Sequence, residues 1–126
     1  MAHVFYNTQK LGKSDYIEII EYAKELGPYE IKLDKLDTDI SWSRQPSYLT
    51  YDTYLHLLNK AKKNLVHFTV IRRWHPFEEK YYGEVSISLS RAVYEKVYVD
   101  EFLWIYLDIE KFDKLITKFN LISCSL

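Results

Sequence analysis

LVHFTVIRRW, Leu65 to Trp74, is the stretch whose reading decides the fold. Its first seven residues are β-branched, aromatic or apolar on both parities, the pattern of a strand buried on both faces. Arg72-Arg73-Trp74-His75-Pro76 then ends that strand in a cationic, aromatic tip. Downstream, Pro76 to Tyr82 reads as a polar connection. Gly83 to Arg91 alternates, with Val85, Ile87 and Leu89 on one side and Glu84, Ser86, Ser88 and Ser90 on the other, which predicts a strand with one wet face. Val93 to Val99 reads as a further strand. Phe102 to Leu107 (FLWIYL), apolar on both parities, reads as another central strand after a tight turn at Asp100-Glu101. Phe102, Ile105, Ile109, Phe112, Ile116 and Phe119 also fit a helical stripe, but the density of β-branched and aromatic residues favours strand at 102–107.

Helical spacing appears on both sides of this meander. Asp15 to Leu26 places Tyr16, Ile19, Ile20, Ala23 and Leu26 on one face, with Ser14 or Asp15 as cap and Gly27-Pro28 as stop. Tyr51 to Lys63 carries the stripe Tyr51, Tyr54, Leu55, Leu58 and Ala61, with Thr50 or Ser47 as cap and Asn64 as a left-handed exit. Asp108 caps a third helix, Ile109 to Phe119. Tyr29 to Leu36 alternates as a strand with one wet face, its phase slipping at Leu36 as at a bulge or a strand end. His3 to Tyr6 and Leu121 to Leu126 read as short terminal strands, and Asp37 to Thr50 as a long loop. The predicted fold is one α+β domain over residues 1–126: a single-layer, mainly antiparallel sheet, with its meander at Leu65–Leu107, packed by about three helices.

The chain has 126 residues, 48% of them apolar and 28% charged, within the ordinary globular range. Seventeen Lys and Arg balance eighteen Asp and Glu, so no whole-molecule field draws it to polyanions. The distribution is uneven. Residues 15–39 carry eight acids against three lysines, and residues 44–80 carry seven basic side chains against three acids. A single cysteine, Cys124, excludes an intramolecular disulfide, and with no leader pattern and no long apolar run the expectation is a cytoplasmic protein without a membrane span.

No phosphate-cradling glycine loop, nucleophile elbow or metal-ligand spacing is visible, so neither cofactor nor metal is expected and catalysis is not the leading reading. Aromatic residues make up 17% of the chain, twelve of them Tyr, a composition suited to contact surfaces. The loop SWSRQPSYLTYDTY at 41–54 presents Trp42, Arg44 and Tyr48, residue types that dominate interface energetics. The acidic stripe Glu18, Glu21 and Glu25 suits a basic toxin or nuclease as partner. Size and composition are similar to those of immunity and inhibitor proteins, which neutralise a toxin or enzyme by covering its active site; the expectation is a protein-binding module of that kind. The alternative is an RNA-binding protein or a metal-independent ribonuclease built on the tip Arg72 to Lys80. There His75 and Glu78 supply proton-transfer groups and Arg72 and Arg73 supply cations for a phosphate. A homodimer sealed by tyrosines is a third possibility.

Overall fold

The computed structural model describes residues 3–37, 44–94 and 97–125. In chain order the elements are β1 (Val4–Tyr6), α1 (Lys13–Glu25), β2 (Glu30–Asp37), β3 (Gln45–Pro46) and α2 (Tyr51–Lys60). A 3₁₀ turn, Lys63–Leu65, leads to β4 (Val66–His75), β5 (Lys80–Tyr94), β6 (Val97–Asp108), α3 (Ile109–Lys118) and β7 (Ser123–Ser125). The seven strands form one sheet in the order β3-β2-β6-β5-β4-β1-β7, with every neighbouring pair antiparallel. The α+β class, the single sheet and the meander β4-β5-β6 are as the sequence predicts.

Several boundaries differ, each for an identifiable reason. Asp100 and Glu101 make no turn; they lie within β6, opposite Ser90 and Leu89 of β5. Their polar groups are met across the strands, Asp100 Oδ1 by Ser90 Oγ and Glu101 Oε1 by Arg91 Nη2 at 3.1 Å, so the strand runs straight through two acids. The separate strand expected at Val93 to Val99 is therefore the junction of two longer ones, β5 and β6. The phase slip at Leu36 marks no bulge, because β2 pairs with β6 without interruption from Glu30↔Tyr106 to Asp37↔Val99. Helix α2 stops at Lys60 rather than Lys63: Ala61 is already extended, and the Lys13 ammonium donates to the carbonyls of Asn59 and Ala61, satisfying the helix end. Among the described residues the non-glycine ones with positive φ are Glu79 and Asn120, so Asn64 makes no left-handed exit. Helix α1 begins on Gly12, whose N–H donates to Asp15 Oδ2 at 2.8 Å.

All three helices pack on one face. Val66, Phe68 and Val70 of β4, Val85, Ile87 and Leu89 of β5, and Leu103, Ile105 and Leu107 of β6 point to it, meeting Ile19, Ile20 and Ala23 of α1, Tyr54 and Leu58 of α2, and Phe112 and Leu115 of α3. Strand β4 is thus buried along its helix face, whereas on the other face His67 and Thr69 are exposed and Ile71 is buried. Gly83 is what lets α3 sit down. A Cβ at Gly83 would stand 2.0 Å from the Phe112 ring, inside any tolerable contact. Gly83→Ala is expected to lower stability by about 1–3 kcal/mol, and by less in a Phe112→Ala background, which removes the two nearest ring atoms, as denaturant melts of the four-member cycle will show.

A polar cluster ties the 44–50 segment to this layer. The Glu101 side chain, 2% exposed, takes Arg91 Nη2 on one oxygen and Ser47 Oγ (2.6 Å) on the other, while the Tyr54 hydroxyl sits within hydrogen-bonding distance of the Glu101 and Ile87 carbonyls. Arg91 is 35% exposed, so the partners are not equivalent. Arg91→Ala strands a carboxylate in the interior and should cost about 3–5 kcal/mol, whereas Glu101→Gln leaves a partly solvated cation and should cost only about 1–2 kcal/mol. Urea titrations of both variants measure this difference.

Candidate functional site

Alternation sends the other set of strand side chains away from the helices, and no described element covers them. In β6 the division is chemical: the aliphatic Leu103, Ile105 and Leu107 enter the core, and Phe102, Trp104 and Tyr106 stand on the open face. The Phe102 and Trp104 rings stack at 5.8 Å, 14° apart, and the Arg44 guanidinium lies over both, 5.0 Å from Phe102 and 4.7 Å from Trp104. Tyr106 stacks with Tyr29 at 6.0 Å and leans on Tyr82 at 6.2 Å. Tyr82 in turn meets His75 at 6.1 Å, and His75 meets Phe77 at 6.2 Å. A band of rings therefore runs from Tyr29, just before β2, across β6, β5 and β4 to the hairpin tip, joined at Tyr106 by a column along β6.

Small polar residues surround the rings. Thr69, Ser86, Trp104 and Lys32 form one cross-strand row, and His67, Ser88, Phe102 and Asp34 the next. Glu84 shares the following row with Ile71, Tyr106 and Glu30; it is only 5% exposed, and Arg73 Nε donates to it at 3.1 Å. The Trp104 indole N–H is shut off from solvent with no acceptor among the described residues. Burial raises the phenol pKa values of Tyr29 and Tyr106 from 10.0 to about 12, with the neighbouring Tyr82 and the carboxylates Glu30 and Glu84 adding to both. Tyr82 is raised by burial and then by Glu84, against the opposing charge of Arg73.

The residues expected to carry function are dispersed. Trp42 lies outside the described residues. Arg44 joins the open face, as above. Tyr48, 89% exposed, projects at the β2 edge with the Lys35 ammonium 4.0 Å from its ring centre. Glu18, Glu21 and Glu25 are exposed on α1, on the opposite side of the molecule from Arg44, and Glu21 and Glu25 border a shallow groove with Lys24, Tyr51, Asp52 and Leu55. One flat contact cannot use both sets. At the tip, Arg73 and His75 face the open side, but Arg72 faces the helix side, its guanidinium 4.4 Å from the Tyr81 ring. Arg72 and Arg73 thus do not converge, and Arg73 is already engaged by Glu84. His75 Nδ1 accepts the Glu78 N–H at 3.1 Å, a turn contact, and the Glu78 carboxylate pairs with Lys80 at 3.2 Å.

Phe102, Trp104, Tyr106 and Tyr29 were not singled out as site residues by the sequence reading. The signal was present in FLWIYL, where aromatic and aliphatic residues alternate strictly; apolarity on both parities masks that difference. Among the described residues no group of three or more His, Cys, Asp or Glu converges as a metal site requires, and no helix is long and apolar enough to cross a membrane. No protein-family model matches the chain, and no match was found among curated proteins or solved structures.

The tyrosines make the fold sensitive to alkali. Their folded pKa values lie above the unfolded value of 10.0, so their contribution is complete below pH 10 and is lost as pH rises toward about 12, where the unfolded chain ionises first. Melting temperature should fall steeply over that window. The fall should be shallower in Tyr106→Phe, and tyrosinate absorbance should show a late-titrating fraction that shrinks in the same variant.

Proposed function

We propose that this chain is a protein-binding module that docks its partner on the open face of the sheet, centred on Trp104 and Arg44. The observation that carries the reading is the stack of Arg44 on Phe102 and Trp104 on an uncovered face. Trp, Tyr and Arg contribute most of the binding energy in protein interfaces, because they bury large areas while freezing few torsions. A guanidinium held by its face keeps its N–H edge for a planar acceptor, so the partner that fits presents a carboxylate to Arg44 and apolar groups to the rings. Action is by occlusion, as in an inhibitor or immunity protein, whose effect needs only tight coverage of a partner's surface.

Charge weighs against nucleic acid on the same face. Lys32, Arg73 and Lys80 are interleaved there with Glu30, Asp34, Glu84, Asp100 and Asp108, so a phosphate backbone meets as much repulsion as attraction. Base stacking would also have to displace Arg44 from the two rings.

The test compares variants against a protein captured from native host extract by the wild-type chain. Trp104→Ala and Arg44→Glu should each weaken that complex by about thirtyfold or more with little change in thermal stability, while Glu18→Lys/Glu21→Lys/Glu25→Lys should leave it within about threefold. The reverse pattern transfers the interface to α1. An RNA gel shift that weakens steeply with salt and is lost in Trp104→Ala supports the nucleic-acid reading instead.

A further inference from the structure

The sheet has one edge that is only half closed. Strand β3 pairs with β2 at Asp34 and Lys35 alone, and the Ser47 N–H donates to the Leu33 carbonyl at 2.9 Å, after which the chain leaves for α2. From Glu30 to Lys32 the outer side of β2 has no neighbouring strand among the described residues. Leu33 directs its carbonyl outward, so the two-residue alternation of an antiparallel strand directs the N–H and C=O of Ile31 outward as well. An open pair of this kind is a template for another strand unless it is shielded.

The side chains at this edge are not shielding ones. Three of the six most exposed large apolar side chains among the described residues are gathered here: Tyr29 at 60%, Ile31 at 37% and Tyr48 at 89%. Glu30 and Lys32 flank Ile31 on the open face, each about half exposed, and touch each other only at 4.0 Å. The order Tyr29-Glu30-Ile31-Lys32-Leu33 is self-complementary when reversed. Placed antiparallel to itself about Ile31, it sets Glu30 opposite Lys32 twice, and the place beside Leu33 is already filled by Ser47.

We infer that a second copy of this chain is the occupant of this edge, pairing β2 with β2 antiparallel about a two-fold axis at Ile31. The two Ile31 residues exchange a pair of N–H···O=C bonds, and the Glu30–Lys32 pairs lie at the non-hydrogen-bonded positions, where cross-strand side chains approach most closely. β3 sets the limit of the ladder. The Leu33 carbonyl is already taken and Asp34 and Lys35 are covered, so the two strands cannot slide further along each other. The interface is isologous and closed, and it joins two seven-stranded sheets into one. It is independent of the docking reading, because it uses the edge of the sheet and not Trp104.

Sedimentation velocity across a concentration series tests the pairing and its register. The wild type should show a monomer–dimer equilibrium. Glu30→Lys and Lys32→Glu should each weaken dimerisation by about tenfold or more, because each sets like charges opposite one another twice, and the double exchange should restore it to within about threefold. Both side chains are half exposed, so the single variants should melt like the wild type. Trp104→Ala should dimerise normally. A strictly monomeric wild type overturns the inference, as does a dimer that ignores the single charge reversals or is not rescued by the double exchange.

Discussion

Everything in this molecule depends on β6 being hydrogen-bonded along its length on both sides. It pairs with β2 over eight residues, Asp37↔Val99 to Glu30↔Tyr106, and with β5 from Tyr94↔Val97 to Tyr82↔Asp108. A strand held this way cannot slip by one residue without turning every side chain over. Its two faces are consequently fixed: Leu103, Ile105 and Leu107 seal the helix layer, and Phe102, Trp104 and Tyr106 are held outward in a rigid column. The neighbouring strands follow that division. Val85, Ile87 and Leu89 join the core beside it, and Glu84, Ser86 and Ser88 join the polar surround of the rings.

The two least exposed carboxylates among the described residues mark the two sides of the sheet. Glu101 lies on the helix side, where Arg91 and Ser47 hold it and through it the segment that carries Arg44. Glu84 lies on the open side, where Arg73 holds it among Tyr82 and Tyr106. Each is matched by an arginine and neither is stranded, so both stabilise the native arrangement mainly by penalising any other. The consequence for function is that Arg73 and Arg91 are spent on structure, whereas Arg44 is displayed on the rings.

Much of the fold was legible because local signals agreed with the tertiary result. Thr50 and Asp108 cap their helices as their side chains suggest, accepting the N–H of Thr53 and Lys111. The alternation of Gly83 to Arg91 identifies a half-buried strand. Misreadings came where a polar residue finds its partner far along the chain. Asp100 and Glu101 look like a turn until Ser90, Arg91 and Ser47 are placed beside them. The Lys13 contact that ends α2 spans forty-six residues and leaves no local trace. For the site, residue type was legible but facing was not. Arg44 was singled out by residue type alone, whereas its platform on β6 required knowing that no described helix lies on that side of the sheet, a property of topology rather than of any short stretch.

Amide and indole chemical-shift mapping of the labelled chain with its captured partner tests the proposed docking on the open face most directly. The shifts should concentrate at the Trp104 indole N–H, the Arg44 guanidinium and the backbone of Phe102 to Tyr106, with Glu18 to Glu25 of α1 unmoved. Perturbations confined to α1, with the Trp104 indole signal unchanged at saturation, contradict it.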